Sequence, residues 1–263
     1  MRRWLLLPLA AILTFGLVAC GDDEPAAQSE TAPAVTLPIS IRVASDVPYA
    51  PFEFFESAGS RKVVGFDVDV VNAIAERIGI ASVEFVDQGF DSIFISIPQK
   101  RFDMAASSIT ITPERAKSAI FSDPYFAADQ SIMVKKGSDI AVEADLAGKT
   151  LGAQRGTTGA DYAAKIKGAK IKRYEEIDDA FIALETGRVD AVINDFAISA
   201  YATKQRTKLE VVSEITTNES YGFMFPKESV DLRDAFNRGL TEIRDDGTFA
   251  DIYRKWFNTD PPS

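Results

Sequence analysis

The chain has 263 residues, 46% hydrophobic and 26% charged, a composition that fits a soluble globular protein of one large or two small domains. Its net charge is −10, which argues against nucleic acid as a partner, because phosphate backbones call for clustered Lys and Arg. It contains no histidine, so the commonest general base and the commonest metal ligand are both missing.

Arg2 and Arg3 precede a nearly unbroken apolar run from Trp4 to Val18. That run is too short and wrongly flanked to span a membrane, and it reads as a secretory signal over residues 1–19. It ends in Leu17-Val18-Ala19-Cys20, which resembles a bacterial lipobox. The resemblance implies that Cys20, the only cysteine, is lipidated and becomes the mature N-terminus, anchoring the protein to a membrane. No disulfide is then available to the mature chain. Removing residues 1–19 takes away Arg2 and Arg3 and no acid, moving the net charge from −10 to −12. Residues 20–38 are rich in Ala, Pro, Thr and acids and predict a flexible tether.

From Ile39 onward strands and helices alternate. Ile39–Ala44 predicts a strand, and Asp67–Ile78 a helix with Val71, Ile74, Ala75 and Ile78 at helical spacing before Gly79. Val83–Val86 and Phe102–Ala106 predict strands, with a helix over Phe90–Ile97 between them. Thr112 and Pro113 predict the cap and first residue of another helix. Strands follow at Lys149–Ala153, Lys170–Tyr174 and Val189–Asn194. Helices are predicted from Gly159, over Asp178–Glu185, from Phe196, over Ser229–Arg244 and over Thr248–Trp256. Such alternation predicts an α/β protein with parallel-rich sheets covered by helices.

Catalysis is poorly supplied. There is no G-x-S-x-G elbow, no P-loop and no G-x-G-x-x-G, and neither a cofactor nor a metal is expected. Four segments instead place polar or aromatic groups just after strands, where α/β sheets bind ligands. In the first, Asp46 follows a strand and Tyr49 sits in a proline-braced loop; the pair could hold a cation or an amide. Phe52 and Phe54 beside it belong to the core. In the second, Ser107-Ser108-Ile109-Thr110 leads to Arg115, expected in the first turn of a helix, where the macrodipole disfavours a cation. Arg115 could clamp a carboxylate with help from Ser108 and Thr110, or pair with Glu114. The third is the glycine-rich turn Gly152 to Gly159, containing Gln154, Thr157 and Thr158, whose N–H groups suit an anion. In the fourth, Asp195 either caps the following helix or accepts an ammonium.

The stretches ASDVPYAPFEF, GFDVDVVNAIAERIG, ITITPERAKSAIFSDPYF, QRGTTGADYA, GRVDAVINDF, YGFMFPK and EIRDDGTFADIYRKWF, in that order, resemble the polar-amino-acid-binding family of ABC-transporter substrate-binding proteins over Ile39–Asp260. The resemblance implies a periplasmic-binding-protein-like fold of two α/β lobes with the ligand in the cleft. Lobe one would be 39–126 plus 222–263, lobe two 129–217, with hinges at 126–130 and 217–221. It implies that Arg115, Thr157 and Thr158 hold an α-carboxylate, and that Asp195, Thr110 and the Ser108 carbonyl hold an α-ammonium. Tyr49 and Phe90 would sandwich the side chain, Asp46 would meet its tip, and Ser107 and Gln154 would line the pocket. Gly159 departs from the polar residue often found at its position.

The resemblance also implies a periplasmic, monomeric receptor that delivers a free L-amino acid to an ABC permease. Asp46, Tyr49 and Phe90 look like members that take arginine, lysine, ornithine or histidine, with glutamine the second choice. A cyclohexadienyl dehydratase on the same fold is the enzymatic rival, and a sensor's partner the signalling one.

Overall fold

The computed structural model describes residues 36–262; the expected signal segment, Cys20 and the tether up to residue 35 lie outside them. The chain opens with β1 (Ser40–Ser45), the short pair β2 (Phe54–Phe55) and β3 (Val63–Val64), α1 (Phe66–Arg77) and β4 (Ser82–Asp87). It continues through α2 (Phe90–Ser96), β5 (Met104–Ala105), β6 (Ala119–Phe121) and β7 (Phe126–Ala127). Next come β8 (Gln130–Lys135), β9 (Thr150–Gln154), α3 (Thr158–Lys165), β10 (Lys170–Tyr174), α4 (Ile177–Glu185), β11 (Ala191–Asp195), α5 (Phe196–Ala202) and β12 (Leu209–Ile215). It ends with β13 (Ser220–Tyr221), β14 (Met224–Pro226), α6 (Val230–Asp245) and α7 (Thr248–Phe257).

Two five-stranded sheets result, in the orders β4-β1-β5-β14-β6 and β10-β9-β11-β8-β12. β1 buries Ile41 and Val43 and ends in a wholly buried run, as a central strand must. It pairs in parallel with β4 from Ser40↔Ser82 to Ser45↔Asp87, and with β5 on its other side. In the second sheet β9 pairs in parallel with β10 and β11, while β8 runs antiparallel to β11 and β12. β14 is likewise antiparallel to β5 and β6. The sheets are therefore mixed rather than parallel-rich. The antiparallel strands β8 and β14 are the ones that helix–strand alternation does not announce, because no α-helix separates either from the strand before it.

The chain passes between the sheets twice, and the two passages pair as β7 and β13, with Tyr221 opposite Phe126. Rings gather there: Phe126 stacks on Tyr221 at 5.6 Å, and Phe52 meets both edge-on at 4.9 and 5.4 Å. Edge-to-face and offset pairs of this kind add stability beyond the area they bury. Helices α1, α6 and α7 pack against one another on lobe one, while α3, α4 and α5 cover the second sheet. The α1 helix buries Phe66, Val70, Val71 and Ile74, and its first turn carries Asp67 and Asp69, which complement the helix dipole. Gly65 opens it at φ 146°, and a Cβ there would lie 1.9 Å from the Phe52 carbonyl oxygen, so no other residue fits.

The helix expected after Pro113 is reduced to a single 3-10 turn, Arg115–Lys117. Glu114 stands at its cap position, and Thr112 Oγ1 still accepts from the Arg115 N–H at 3.2 Å. A three-residue turn has little macrodipole, so an unfavourable dipole does not mark Arg115 as functional. Its contacts have to do so.

Candidate functional site

The lobe-one wall is built where β1, β4 and β5 end. Asp46 follows β1, is 2% exposed, and has its backbone N–H bonded to Ser107 Oγ at 2.8 Å. Ser107 in turn donates to Glu53 Oε1 at 3.2 Å. Ser108 sits in the left-handed region at φ 48°, its N–H donating to Asp67 Oδ2 at 3.0 Å. Tyr125 donates to the same Asp67 oxygen at 2.7 Å. Phe90 starts α2, directly after the turn that follows β4. Half-buried Arg115 donates Nη1 to the Thr110 carbonyl at 2.7 Å and Nη2 to the Gly156 carbonyl of lobe two at 3.0 Å. Its guanidinium carbon lies 4.5 Å from the centre of the Phe94 ring and 5.5 Å from that of Phe90. The Glu114 carboxylate pairs with Lys117 instead.

The lobe-two wall uses the ends of β9 and β11. Gln154 closes β9, and Thr157 caps α3, its hydroxyl accepting from the Ala160 N–H at 3.1 Å and donating to the Gln154 carbonyl at 2.8 Å. Thr158 Oγ1 donates to Glu219 Oε2 at 2.9 Å and faces Thr110 Oγ1 across the cleft at 3.4 Å. Asp195 stands at the cap position of α5 but makes no side-chain cap bond. Its carboxylate points inward instead, accepting from Tyr221 at 2.5 Å, Tyr49 at 2.9 Å and Gln130 at 2.5 Å.

These walls face each other across one tight pocket, lined by Asp46, Tyr49, Phe90, Ser107, Ser108, Thr110, Arg115, Gln154, Thr157, Thr158 and Asp195. All eleven residues singled out from the sequence thus meet in one place. A wider groove lies beside the crossing strands, between Phe126, Tyr201 and Trp256. It does not set a half-buried cation against buried carboxyls as the pocket between the lobes does.

Charge inside the cavity is strongly perturbed. Burial pushes the Asp46 carboxyl up to about 7, with Glu176, Asp87 and Asp91 adding to the rise and the Gln154 hydrogen bond opposing it. Burial raises Asp195 to about 6, held back by the Tyr221 and Tyr49 hydroxyls. Burial lowers Arg115 to about 10, against the pull of Asp195 and Glu219. One cation therefore faces two carboxyls that a cationic partner would ionise. Among the described residues no group of acids is arranged to hold a metal ion, and no helix is long and apolar enough to cross a membrane.

Residues 41–259 match the family described as bacterial extracellular solute-binding proteins, family 3. The chain belongs to that family. Across 262 residues it is 31% identical to the arginine-binding extracellular protein ArtP of Bacillus subtilis (strain 168), covering 98% of each chain. Among solved structures, an ancestral arginine-binding protein bound to arginine is 38% identical with a TM-score of 0.80, covering 84% of this chain and 100% of that one. The arginine-, lysine-, histidine-binding protein ArtJ from Geobacillus stearothermophilus is 40% identical with a TM-score of 0.79, covering 84% and 96%.

This family 3 chain also places side chains behind the cavity's lining, bonded to it, that sequence reasoning missed. Gln130 lies opposite Asp195 in the β8–β11 ladder, and its amide reaches Asp195, Thr158 and Glu219. A Cβ on Gly159 would sit 2.8 Å from Gln130 Oε1, so Gln130 occupies the space that a side chain at 159 would need. Glu219 and Tyr221 come from the return passage, and Asn194 accepts from the Tyr49 hydroxyl at 3.0 Å. A prediction of β8 would have exposed Gln130, since antiparallel pairing sets it across from Asp195.

Proposed function

We propose that this protein is an extracytoplasmic receptor that captures a cationic L-amino acid between its lobes and delivers it to an ABC importer. One observation carries the reading: a single cavity opposes one half-buried arginine to two buried carboxyls, Asp46 and Asp195, with raised proton affinity. A zwitterion with a positive side chain presents the complementary set, one anion and two cations. Arg115 and the start of α3 would take the α-carboxylate, as forked guanidinium donors and free helix N–H groups do. Asp195, with Thr110 and the Ser108 carbonyl, would take the α-ammonium, and Asp46 the side-chain tip, between Tyr49 and Phe90.

Relatives named as arginine- or histidine-binding proteins support the ligand class and support a binding protein over an enzyme. Binding between lobes favours closure through the ligand's differential affinity for the closed form. The closing movement would turn on residues 126–130 and 217–221, between a first lobe of 39–126 plus 222–263 and a second of 129–217. The lipobox-like LVAC sequence supports tethering to the membrane through lipidated Cys20.

The test is a set of melting curves on protein unfolded and refolded to strip carried-over ligand, recorded against each L-amino acid. A ligand at about 100 times its Kd adds about 2.7 kcal/mol, a rise of several degrees. The largest rise should come from arginine, lysine, ornithine or histidine. A largest rise with glutamine would preserve the receptor and overturn the side-chain assignment. No rise at millimolar concentration would overturn the receptor and direct the work to prephenate and arogenate turnover.

A further inference from the structure

Among the described residues, the non-glycine residues with a positive φ are Lys100, Ser108, Asn218 and Asn258. Lys100 and both asparagines are exposed, and asparagine tolerates that region. Ser108 is different: it is 4% exposed and lines the pocket. It stands at a corner between two ladders. Before it the Ala106 N–H donates to the Ala44 carbonyl beside β5 at 3.1 Å, and after it the Ile109 carbonyl accepts from Gly222 at 3.0 Å. A serine has no intrinsic reason to hold φ 48°, so its surroundings must fix it there.

The fixing group is Asp67. Its Oδ2 accepts from the Ser108 N–H at 3.0 Å and from the Tyr125 hydroxyl at 2.7 Å, two donors from outside its own helix. Tyr125 is itself anchored, its N–H donating to the Tyr221 carbonyl at 3.0 Å. Helix α1 does not account for so deep an acid. Asp69, in the same first turn, complements the dipole from a half-buried position, where it accepts from Lys255 and Trp256 at 2.6 and 2.7 Å. Asp67 is completely buried, a costly place for a carboxyl that only complements a dipole.

We propose that Asp67 is a positioning residue for ligand capture: by clamping the Ser108 N–H it holds the Ser107–Thr110 wall, with the Ser108 carbonyl, in its ligand-receiving shape. The inference rests on the receptor reading above and adds how one wall of that site is set before the ligand arrives. A group already held in its bound geometry has no ordering cost left to meet on binding. Release of the corner to negative φ would also carry Thr110 with it. The Thr110 carbonyl accepts from Arg115 Nη1 at 2.7 Å, so the error would reach the carboxylate end of the site as well.

Calorimetric titration of the wild type, Asp67→Asn, Asp67→Ala and the double variant Asp67→Ala/Ser108→Gly with each L-amino acid tests this. Asparagine keeps an oxygen able to accept both bonds, so that variant should bind within about threefold of the wild type. Alanine removes the acceptor and should lose about tenfold or more in affinity. Glycine takes a positive φ unaided, so the double variant should regain most of that loss. An Asp67→Ala protein that melts lower yet binds within about twofold of the wild type would mean that the acid serves the fold alone. A double variant no better than Asp67→Ala would equally sink the proposal. Amide exchange on the ligand-free wild type reads the same corner should Asp67→Ala fail to fold. The Ser108 N–H should be protected before any ligand is added. Protection that appears only with ligand would show that the ligand sets the corner, and the proposal would fall. A wild type that binds no amino acid would overturn the receptor reading and this inference with it, a result distinct from an indifferent variant of a binding wild type.

Discussion

Gln154 of lobe two donates its side-chain amide to the Asp46 carboxylate of lobe one at 2.7 Å, and the same nitrogen donates to the Glu175 carbonyl at 2.9 Å. The amide thus fastens one oxygen of Asp46 across the cleft and leaves the other, Oδ1, without a partner. Asp46→Asn keeps the shape and removes the charge. It should weaken arginine binding by about 2–4 kcal/mol while barely changing glutamine binding, as measured by calorimetry. Equal effects on both ligands would remove Asp46 from side-chain recognition.

The raised proton affinity of Asp46 gives that recognition a pH dependence. Its folded-state pKa is about 7 against an ordinary 3.8, through burial first and then Glu176, Asp87 and Asp91, with Gln154 opposing. Below pH 7 the ligand-free carboxyl is largely protonated, and a cation must displace that proton. Affinity for arginine should therefore rise from pH 5.5 to pH 8, with proton release on binding at the lower end. A raised carboxyl also stabilises the ligand-free fold below its unfolded pKa, and that contribution is lost as pH rises through 7. The ligand-induced rise in melting point should accordingly grow with pH. A flat titration between pH 5.5 and 8 would contradict this account of Asp46.

Arg115 should behave differently from Asp46, because its assigned partner is common to all amino acids. Its fork is already oriented by the Thr110 and Gly156 carbonyls and by the Phe94 ring at 4.5 Å. Arg115→Lys keeps the charge but loses the bidentate geometry and the stacking. It should cost about 1.5–3 kcal/mol of binding for arginine, lysine and histidine alike. A loss confined to one ligand would mean that Arg115 reads the side chain.

Much of the site was legible because the residues that approach the cavity do so at strand ends. Asp46, Ser107, Gln154 and Asp195 each close or follow a strand whose apolar run is visible in the sequence. Side chains delivered by antiparallel strands were not legible. Gln130 begins β8, which no preceding helix announces, and Tyr221 lies in a two-residue strand too short to carry a pattern. Glu53 was hidden for another reason. Standing between Phe52 and Phe54, it should by strand alternation face solvent, yet the Tyr49↔Glu53 bridge folds the loop inward and buries it completely. The helix expected around Arg115 forms only as a single 3-10 turn.

Glu53 carries its own consequence for stability. It is fully buried near Asp67 and Asp46, its Oε2 has no partner, and burial, then those two acids, push its carboxyl well above the ordinary range. An acid whose folded pKa is raised stabilises the fold below its unfolded pKa, and that stability drains away as pH climbs through the folded value. Glu53→Gln, nearly isosteric and never charged, should flatten this decline. Its melting point should match the wild type's at pH 5 and exceed it at pH 9. A variant less stable at pH 9 would show that the ionised Glu53 is stabilising after all.

Tyr221 offers the sharpest test of how Asp195 is kept ready. Its hydroxyl donates to Asp195 at 2.5 Å, the foremost of the influences that hold this buried carboxyl down to about 6. Tyr49 and Gln130 supply the remaining donors, so Tyr221→Phe leaves the carboxylate partly solvated rather than stranded. The ring itself stays, with its stacking on Phe126. With that donor gone the Asp195 pKa moves upward, and less of it is ionised near neutral pH. Affinity for any L-amino acid should fall by about 1 kcal/mol at pH 8, where Asp195 remains charged in both proteins. It should fall further at pH 6, where the variant's carboxyl is mostly protonated and the α-ammonium meets a neutral group. Calorimetry at the two pH values separates this from simple loss of packing, which would weaken binding equally at both.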